Sequence, residues 1–218
     1  AKASIESIYY SDKILNNTNI NVLFDKCKNK KIELIQILQK DIDVLSDSVS
    51  NQGILAVINT PINDKDTLLN HNQLILDTIS DPGNMGNILR TADWFGLKSV
   101  YLSKKSIEPY NAKTLRSSMG AHFYIDINII DIVEHIKMLK NNGFTIIGAD
   151  IKGENLYRWK SPDKWGLVVG NEAHGISQEI RKLIDCNITI PKNGNIESLN
   201  VAMATGILLS HIRSNIKD

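Results

Sequence analysis

From residue 73 onward the sequence alternates short apolar runs with helical stretches, and that alternation leaves few folds open. Residues 73–79 suit a strand buried on both faces, and a helix over 85–95 follows, closed by Gly96. The pattern continues with strand 99–102, helix 112–118, strand 123–127 and helix 129–141. After Gly143 come strand 144–149, strand 166–169, helix 177–184, strand 188–190 and helix 199–212. Strands alternating with helices predict an α/β class, a parallel sheet covered on both faces. In such sheets ligands sit beyond the carboxyl ends of the strands. Three loops bearing glycine or asparagine fall at such ends, at 80–86, 170–175 and 191–200.

The first part of the chain has a different grammar. Residues 1–52 contain neither glycine nor proline, whereas all 13 glycines and all 5 prolines lie from Gly53 onward. It reads as strand 5–10, helix 12–16, an apolar stretch 20–24, strand 32–38, helix 41–45 and strand 53–58. A polar link from Thr60-Pro61 through Asp66 suits a hinge. A small α/β domain is therefore expected over residues 1–61, followed by a larger α/β domain over 62–218. The chain opens on Ala1 rather than Met, and the small domain reads as shortened at its start.

At 218 residues and 42% hydrophobic content, both parts can bury a core. Two cysteines, Cys27 and Cys186, cannot build a disulfide framework or a Cys-rich metal site, and suit small buried positions. No His/Asp/Glu spacing suggests a metal. The longest apolar run, 201–209, is far below the roughly 20 residues that cross a bilayer, and no signal-peptide pattern opens the chain. A cytoplasmic protein with no membrane partner is expected.

Net charge is +1, but its distribution is uneven. Lys98, Lys104, Lys105, Lys113 and Arg116 face a single acid, Glu108, within one stretch, and Lys26, Lys28, Lys30 and Lys31 form a second cluster. Such patches can neutralise phosphates, although a lysine run is ordinarily a solvated face. Trp159 and Trp165 lie near Lys160 and Lys164, where they could stack bases or anchor a core.

A dinucleotide enzyme would carry G-x-G-x-x-G between its first strand and helix. The turn instead reads Asp81-Pro82-Gly83-Asn84-Met85-Gly86, and no phosphate loop of the G-x-x-x-x-G-K type occurs. That turn, continued through Asn87-Ile88-Leu89-Arg90-Thr91-Ala92, resembles the first motif of the SpoU/TrmH family of RNA ribose methyltransferases. Leu167-Val168-Val169-Gly170-Asn171-Glu172-Ala173-His174-Gly175 resembles its second. The stretch from Ile190-Pro191-Lys192 through Glu197-Ser198-Leu199-Asn200 to Gly206 resembles its third. Three motifs in this order, each at a strand–helix junction, are specific, and the likeness covers residues 73–214. The first part is similar to the ribosomal-protein-like substrate domain found in many members.

The resemblance implies a catalytic domain with a C-terminal trefoil knot, S-adenosylmethionine as cofactor, and a homodimer. Knots are exceptions among folds, and no periodicity would predict one. The resemblance also implies that Gly170, Ile190 and Leu199 give main-chain contacts to the cofactor. It assigns Arg90, Asn84, Glu172, Ser198 and Asn200 to the catalytic centre. In the family the arginine matching Arg90 activates the ribose hydroxyl. A guanidinium is effectively always protonated, so gripping a phosphate and stabilising a developing alkoxide suit it better than proton abstraction. By position alone Asn84 also suits a helix N-cap, and Ser198 could cap the last helix. His174 reads as an exposed turn residue. RNA is the acceptor class, because DNA lacks the 2′-hydroxyl. Ribosomal RNA is preferred, with transfer RNA the close alternative. A noncatalytic RNA-binding scaffold and a base methyltransferase remain as other readings.

Overall fold

The computed structural model describes residues 4–46, 50–60, 69 and 71–214. The chain forms two compact units, Ala1–Ile62 and Asn63–Asp218. Of the hinge expected from Thr60 through Asp66, residues 61–66 lie outside the described residues.

In the first unit, β1 (Ser4–Tyr10) is the central strand of three. It pairs in parallel with β2 (Glu33–Gln36) and antiparallel with β3 (Ile54–Asn59). Helices α1 (Asp12–Leu15), α2 (Ile20–Asn29) and α3 (Gln39–Leu45) bury Ile14, Ile20, Cys27 and Ile42. The apolar 20–24 stretch is thus the first turn of a helix. Phe24 meets the Tyr10 ring at 4.7 Å between centroids. Lys26, Lys28, Lys30 and Lys31 lie exposed at the C-terminal end of α2, the end where the helix dipole favours cations.

The second unit is a six-stranded sheet whose strands all run parallel. In chain order its elements are β4 (Gln73–Leu76), α4 (Pro82–Trp94), β5 (Ser99–Ser103), α5 (Ala112–Ser117), β6 (Asp126–Ile130), α6 (Ile132–Asn141), β7 (Thr145–Asn155), β8 (Trp165–Val169), α7 (Gln178–Arg181), β9 (Cys186–Thr189) and α8 (Val201–Ser214). The spatial order is β6-β5-β4-β8-β7-β9. The chain steps outward from β4 to β6, then returns to build the other half, so the direction of progress reverses between β4 and β8. Such a switch point opens a crevice at the carboxyl ends of its two strands.

Strand alternation divides the core into two layers. Leu74, Leu76, Leu167 and Val169 face α4 and α8, with Met85, Ile88, Leu89, Leu208 and Leu209. Ile75 and Val168 face the other side, with Ile136, Leu139 and Ile180 of α6 and α7. Each such side chain removed from water contributes about 1.5–3 kcal/mol. Trp159 and Trp165 are both buried in the first layer, so they anchor the core and are not presented to bases. Cys27 is buried, as a small apolar residue would be, and Cys186 is half-buried.

Several boundaries differ from the sequence expectation. The strand expected over 123–127 is β6, three residues later. Gly120, with φ +91°, leads instead into a short 3-10 turn, Ala121–Phe123, which buries His122. Asp131 then caps α6, its carboxylate accepting from the backbone N–H groups of Val133 and Glu134, so that helix starts at Ile132 rather than 129. β7 continues to Asn155, and its second half pairs again with β9 after an irregular register. α7 is a single turn rather than a helix over 177–184.

His135 on α6 gives this unit an acid sensitivity. Its ring stacks on Tyr101 at 4.2 Å and its Nε2 donates to Gln73 Oε1 at 2.6 Å. Burial penalises the imidazolium and pushes its pKa down to about 4. An unfolded histidine takes up its proton below about pH 6.5, whereas the native one resists until about pH 4. The unfolded state therefore binds more protons in that window, and stability falls as pH drops through it, by at most about 3 kcal/mol. Urea unfolding across pH 7 to 4 should show this loss, and His135→Gln should flatten it. An identical pH profile for that variant would remove His135 as the cause.

Candidate functional site

The three glycine- and asparagine-bearing loops leave the carboxyl ends of β4, β8 and β9, on either side of the switch point. At β4 the chain is held first by Asp77, whose N–H donates to Val169 O at 2.8 Å and whose carboxylate accepts from Ser177 N at 2.7 Å. Thr78 follows with φ 62°, a left-handed conformation that is strained for a β-branched residue by about 1–3 kcal/mol. Its N–H donates to Ser103 Oγ at 2.8 Å, and its carbonyl accepts from Asn171 Nδ2 at 2.8 Å. Neighbouring loops thus hold the strained residue in place.

Asp81, not Asn84, is the N-cap of α4. Its Oδ1 accepts from Asn84 N at 2.7 Å, and Pro82 occupies the first turn, where its missing N–H costs nothing. Asn84 therefore sits inside the first turn with its side chain free to act. Its Nδ2 donates to Glu172 Oε1 at 3.0 Å, and its Oδ1 accepts from Asn200 Nδ2 at 2.9 Å. Residues from all three loops are joined in one line, Asn200 to Asn84 to Glu172. Asn200 also caps α8, its Oδ1 accepting from Ala202 N at 2.9 Å and Met203 N at 3.3 Å. The last helix is capped by Asn200 rather than Ser198.

Glu172 is the hub. Oε2 accepts from Ser80 Oγ at 3.0 Å and Ser80 N at 3.3 Å, while Oε1 also accepts from Asp81 N at 3.3 Å. Partial burial pushes its carboxyl up. Hydrogen bonds from Asn84, its own backbone, Ser80 and Asp81 outweigh that, and the net result is a pKa below the usual value. The carboxylate stays ionised at neutral pH and accepts from every one of these donors.

Gly170 ends β8 in close contact with the loop beyond it. A Cβ there would lie 2.2 Å from Gly175 C and 2.3 Å from Ile176 N, so only glycine fits. Ile190 is half-buried against the core, and Leu199 is 45% exposed. Between them, residues 191–199 make no main-chain to main-chain hydrogen bond among the described residues. Their N–H and C=O groups are available to a ligand.

Arg90 and Ser198 stand outside the hydrogen-bonded line. Arg90 is exposed on α4, six residues or about 9 Å along the axis from Asn84, its side chain making no hydrogen bond or ion pair among the described residues. Ser198 is exposed in the loop before α8, and His174 is exposed at its turn. Sequence reasoning missed Ser80, Asp81, Thr78 and Asn171. An aspartate directly before a first-turn proline is a readable N-cap signal; the strain at Thr78 has none. Among the described residues no group of His, Cys, Asp and Glu could hold a metal ion, and no helix is long and apolar enough to cross a membrane.

Residues 71–210 match the SpoU rRNA Methylase family. The chain is 31% identical over 183 residues to the 23S rRNA (guanosine(2553)-2′-O)-methyltransferase RlmP of Bacillus subtilis, covering 84% of this chain and 73% of that protein. It is 32% identical over 200 residues to the 23S rRNA (guanosine-2′-O-)-methyltransferase RlmB of Neisseria meningitidis, covering 88% and 80%. An AdoMet-bound rRNA methyltransferase from Sinorhizobium meliloti superposes with a TM-score of 0.84 at 23% identity, over 99% of this chain and 82% of that one, a likeness of fold.

Proposed function

Because this chain belongs to the SpoU rRNA Methylase family, we propose that it methylates a ribose 2′-hydroxyl of structured RNA, ribosomal RNA by preference, using S-adenosylmethionine. The observation that carries this reading is the Asn200–Asn84–Glu172 line, which ties the three motif loops together at the switch point of the sheet. Both rRNA relatives named above methylate a guanosine 2′-oxygen.

The residues present fit the cofactor. Gly170 lets the 170–175 turn pack directly against the end of β8, and the unpaired main chain of 191–199 offers donors and acceptors to an adenosyl group and an amino acid. Gly170, Ile190 and Leu199 would hold it. When bound, it supplies an electrophilic methyl group on a sulfonium. The protein's task is then mainly alignment, since charge is neutralised as an oxygen nucleophile approaches. Arg90 presents a planar fork at the exposed face of α4, where it grips an RNA phosphate and stabilises the negative charge growing on the 2′-oxygen. Asn84 and Glu172 fix the start of that helix, and Asn200 fixes the third loop against it. Ser198 hydrogen-bonds within that loop when the substrate is in place.

The C-terminal segment is proposed to thread as a trefoil knot. Residues 1–61 are proposed to recognise RNA shape, with the exposed lysines of α2 meeting phosphates. A second copy of the chain is proposed to cover the faces of α4 and α8, which expose Trp94 at 84% and Met203 at 64%.

Methyl-labelled cofactor incubated with unmodified ribosomal RNA should leave its label on ribose after nuclease digestion. Label on a base would overturn the ribose assignment, and RNA binding without label would favour a noncatalytic scaffold. Sedimentation of the same preparation should give twice the 24.4 kDa chain mass; a single chain mass would remove the dimer.

A further inference from the structure

The sheet has a second end, and it is strongly basic. Lys98, Asn72 and Lys164 each immediately precede a strand (β5, β4 and β8), and these three strands are neighbours. Their amino ends open into a cavity of about 330 Å³, which Arg213 enters from the last turn of α8. It lies at the end of the sheet opposite Asn84, Glu172 and Asn200.

The framework here is rigid. Lys98 O accepts from Asp126 N at 2.9 Å, Lys164 O accepts from Thr145 N at 2.9 Å, and Asn72 Oδ1 accepts from Trp165 N at 2.8 Å. The Lys164 ammonium lies 5.7 Å from the centroid of the buried Phe144 ring. The Arg213 guanidinium lies over Gly96, 3.3 Å from where a Cβ would stand. Among the described residues three permanent cations therefore share one concavity with a single acid, Asp163. Among the described residues none of the three is in a salt bridge. Like charges that outnumber their counter-charge repel, and an anion relieves that repulsion. A fork and two ammonium groups match the several oxygens of a phosphate.

The 98–116 lysine cluster of the sequence is thereby divided. Lys98 stands at the amino end of β5, Lys104 and Lys105 follow its carboxyl end, and Lys113 lies 3.7 Å from Asp81. A free nucleotide would want an aromatic or apolar surface for its base, but Phe144 is buried and the rim carries exposed His71, Lys98, Lys164 and Arg213. A backbone phosphate asks for charge alone.

We propose that this cavity binds backbone phosphates of the RNA substrate, a second anchoring point at the far end of the sheet from methyl transfer. The assignment rests on the RNA methyltransferase reading above. Strands of this length run about 13–17 Å, so a folded RNA that wraps one side of the unit can reach both ends.

The test compares intact wild-type protein with Lys98→Gln/Lys164→Gln and with Arg213→Gln, all at exposed side chains. Affinity for an unmodified ribosomal RNA fragment should fall about tenfold in the double variant. The slope of log affinity against log salt should shrink by about 1–2, one phosphate contact being worth about 0.7–0.9. KM for RNA should rise, with kcat and cofactor affinity unchanged. Variants that keep wild-type affinity and salt slope while the wild type methylates RNA would overturn the anchoring site alone. A wild type that binds RNA without methylating it would overturn the functional reading, and the variants' affinities would still decide the site. Pyrophosphate that raises the melting temperature of the wild type but not of the variants, with RNA affinity equal in all, would assign the cavity to free polyphosphate and overturn the proposal.

Discussion

Replacing Arg90 with alanine should lower methyl transfer by about 10²–10³-fold while leaving the affinity for S-adenosylmethionine unchanged. The magnitude is that of removing one preorganised donor from a developing oxyanion. Arg90 is exposed, and among the described residues its side chain has no hydrogen-bonding or ionic partner, so its loss should leave the fold intact. Its neighbours Ile88, Leu89 and Ala92 are what bury α4. Arg90→Lys would retain the charge but not the planar fork, and should recover a small part of the activity. Single-turnover rates at saturating cofactor, set beside calorimetric binding of the cofactor, separate the two effects. Activity in the alanine variant within a few-fold of wild type would remove Arg90 from the centre.

Gly170→Ala should abolish cofactor binding, with an apparent affinity loss above about 100-fold, and lower the melting temperature by about 2–12 °C. The added methyl would run into the Gly175–Ile176 peptide group, Gly175 C at 2.2 Å, Ile176 N at 2.3 Å and Gly175 O at 2.5 Å, and no rotamer change can relieve that. Overpacking of this kind costs about 1–3 kcal/mol, and each kcal/mol moves the transition of a chain this size by about 2–4 °C. The displaced segment is the turn closed by Asn171 and Gly175, whose N–H and C=O groups bond one another at 3.0 and 2.9 Å, and it carries Glu172. Gly194→Ala is the control within another motif loop: a Cβ there meets nothing within 4 Å, and no change is expected. Wild-type affinity in the Gly170 variant would show that this loop can yield without consequence.

The strand–helix succession of the second unit was legible because β4 and β8 are buried on both faces. Their continuous apolar character therefore carries the signal directly. The register of β6 was not, since it depends on the 3-10 turn after Gly120 and on His122 finding Pro109 O at 2.7 Å and Ser118 Oγ at 2.7 Å, contacts no local pattern announces. The cap of α4 was readable from Asp81-Pro82. The cap and site meanings of Asn84 were both open in the sequence, and the structure gives the cap to Asp81. The line from Asn200 through Asn84 to Glu172 joins residues 116 and 88 positions apart, and spacing says nothing about such partners. Arg90 and Ser198 entered through resemblance, and their isolation from the line reflects side chains aimed at solvent, where an RNA would approach.

The Asn200–Asn84 bond also bears on when the protein becomes competent. Asn84 leaves the ribosome early in the synthesis of this unit, but its partner, just before α8, lies 116 residues later. Until Asn200 and α8 have emerged and docked, the first loop lacks the contact that braces it, and contacts of such long range are slow to form. A chain that stops short of α8 would already possess most of the sheet, yet it would lack the braced centre that methyl transfer needs. Modification would begin only once the chain through α8 has been made and has docked.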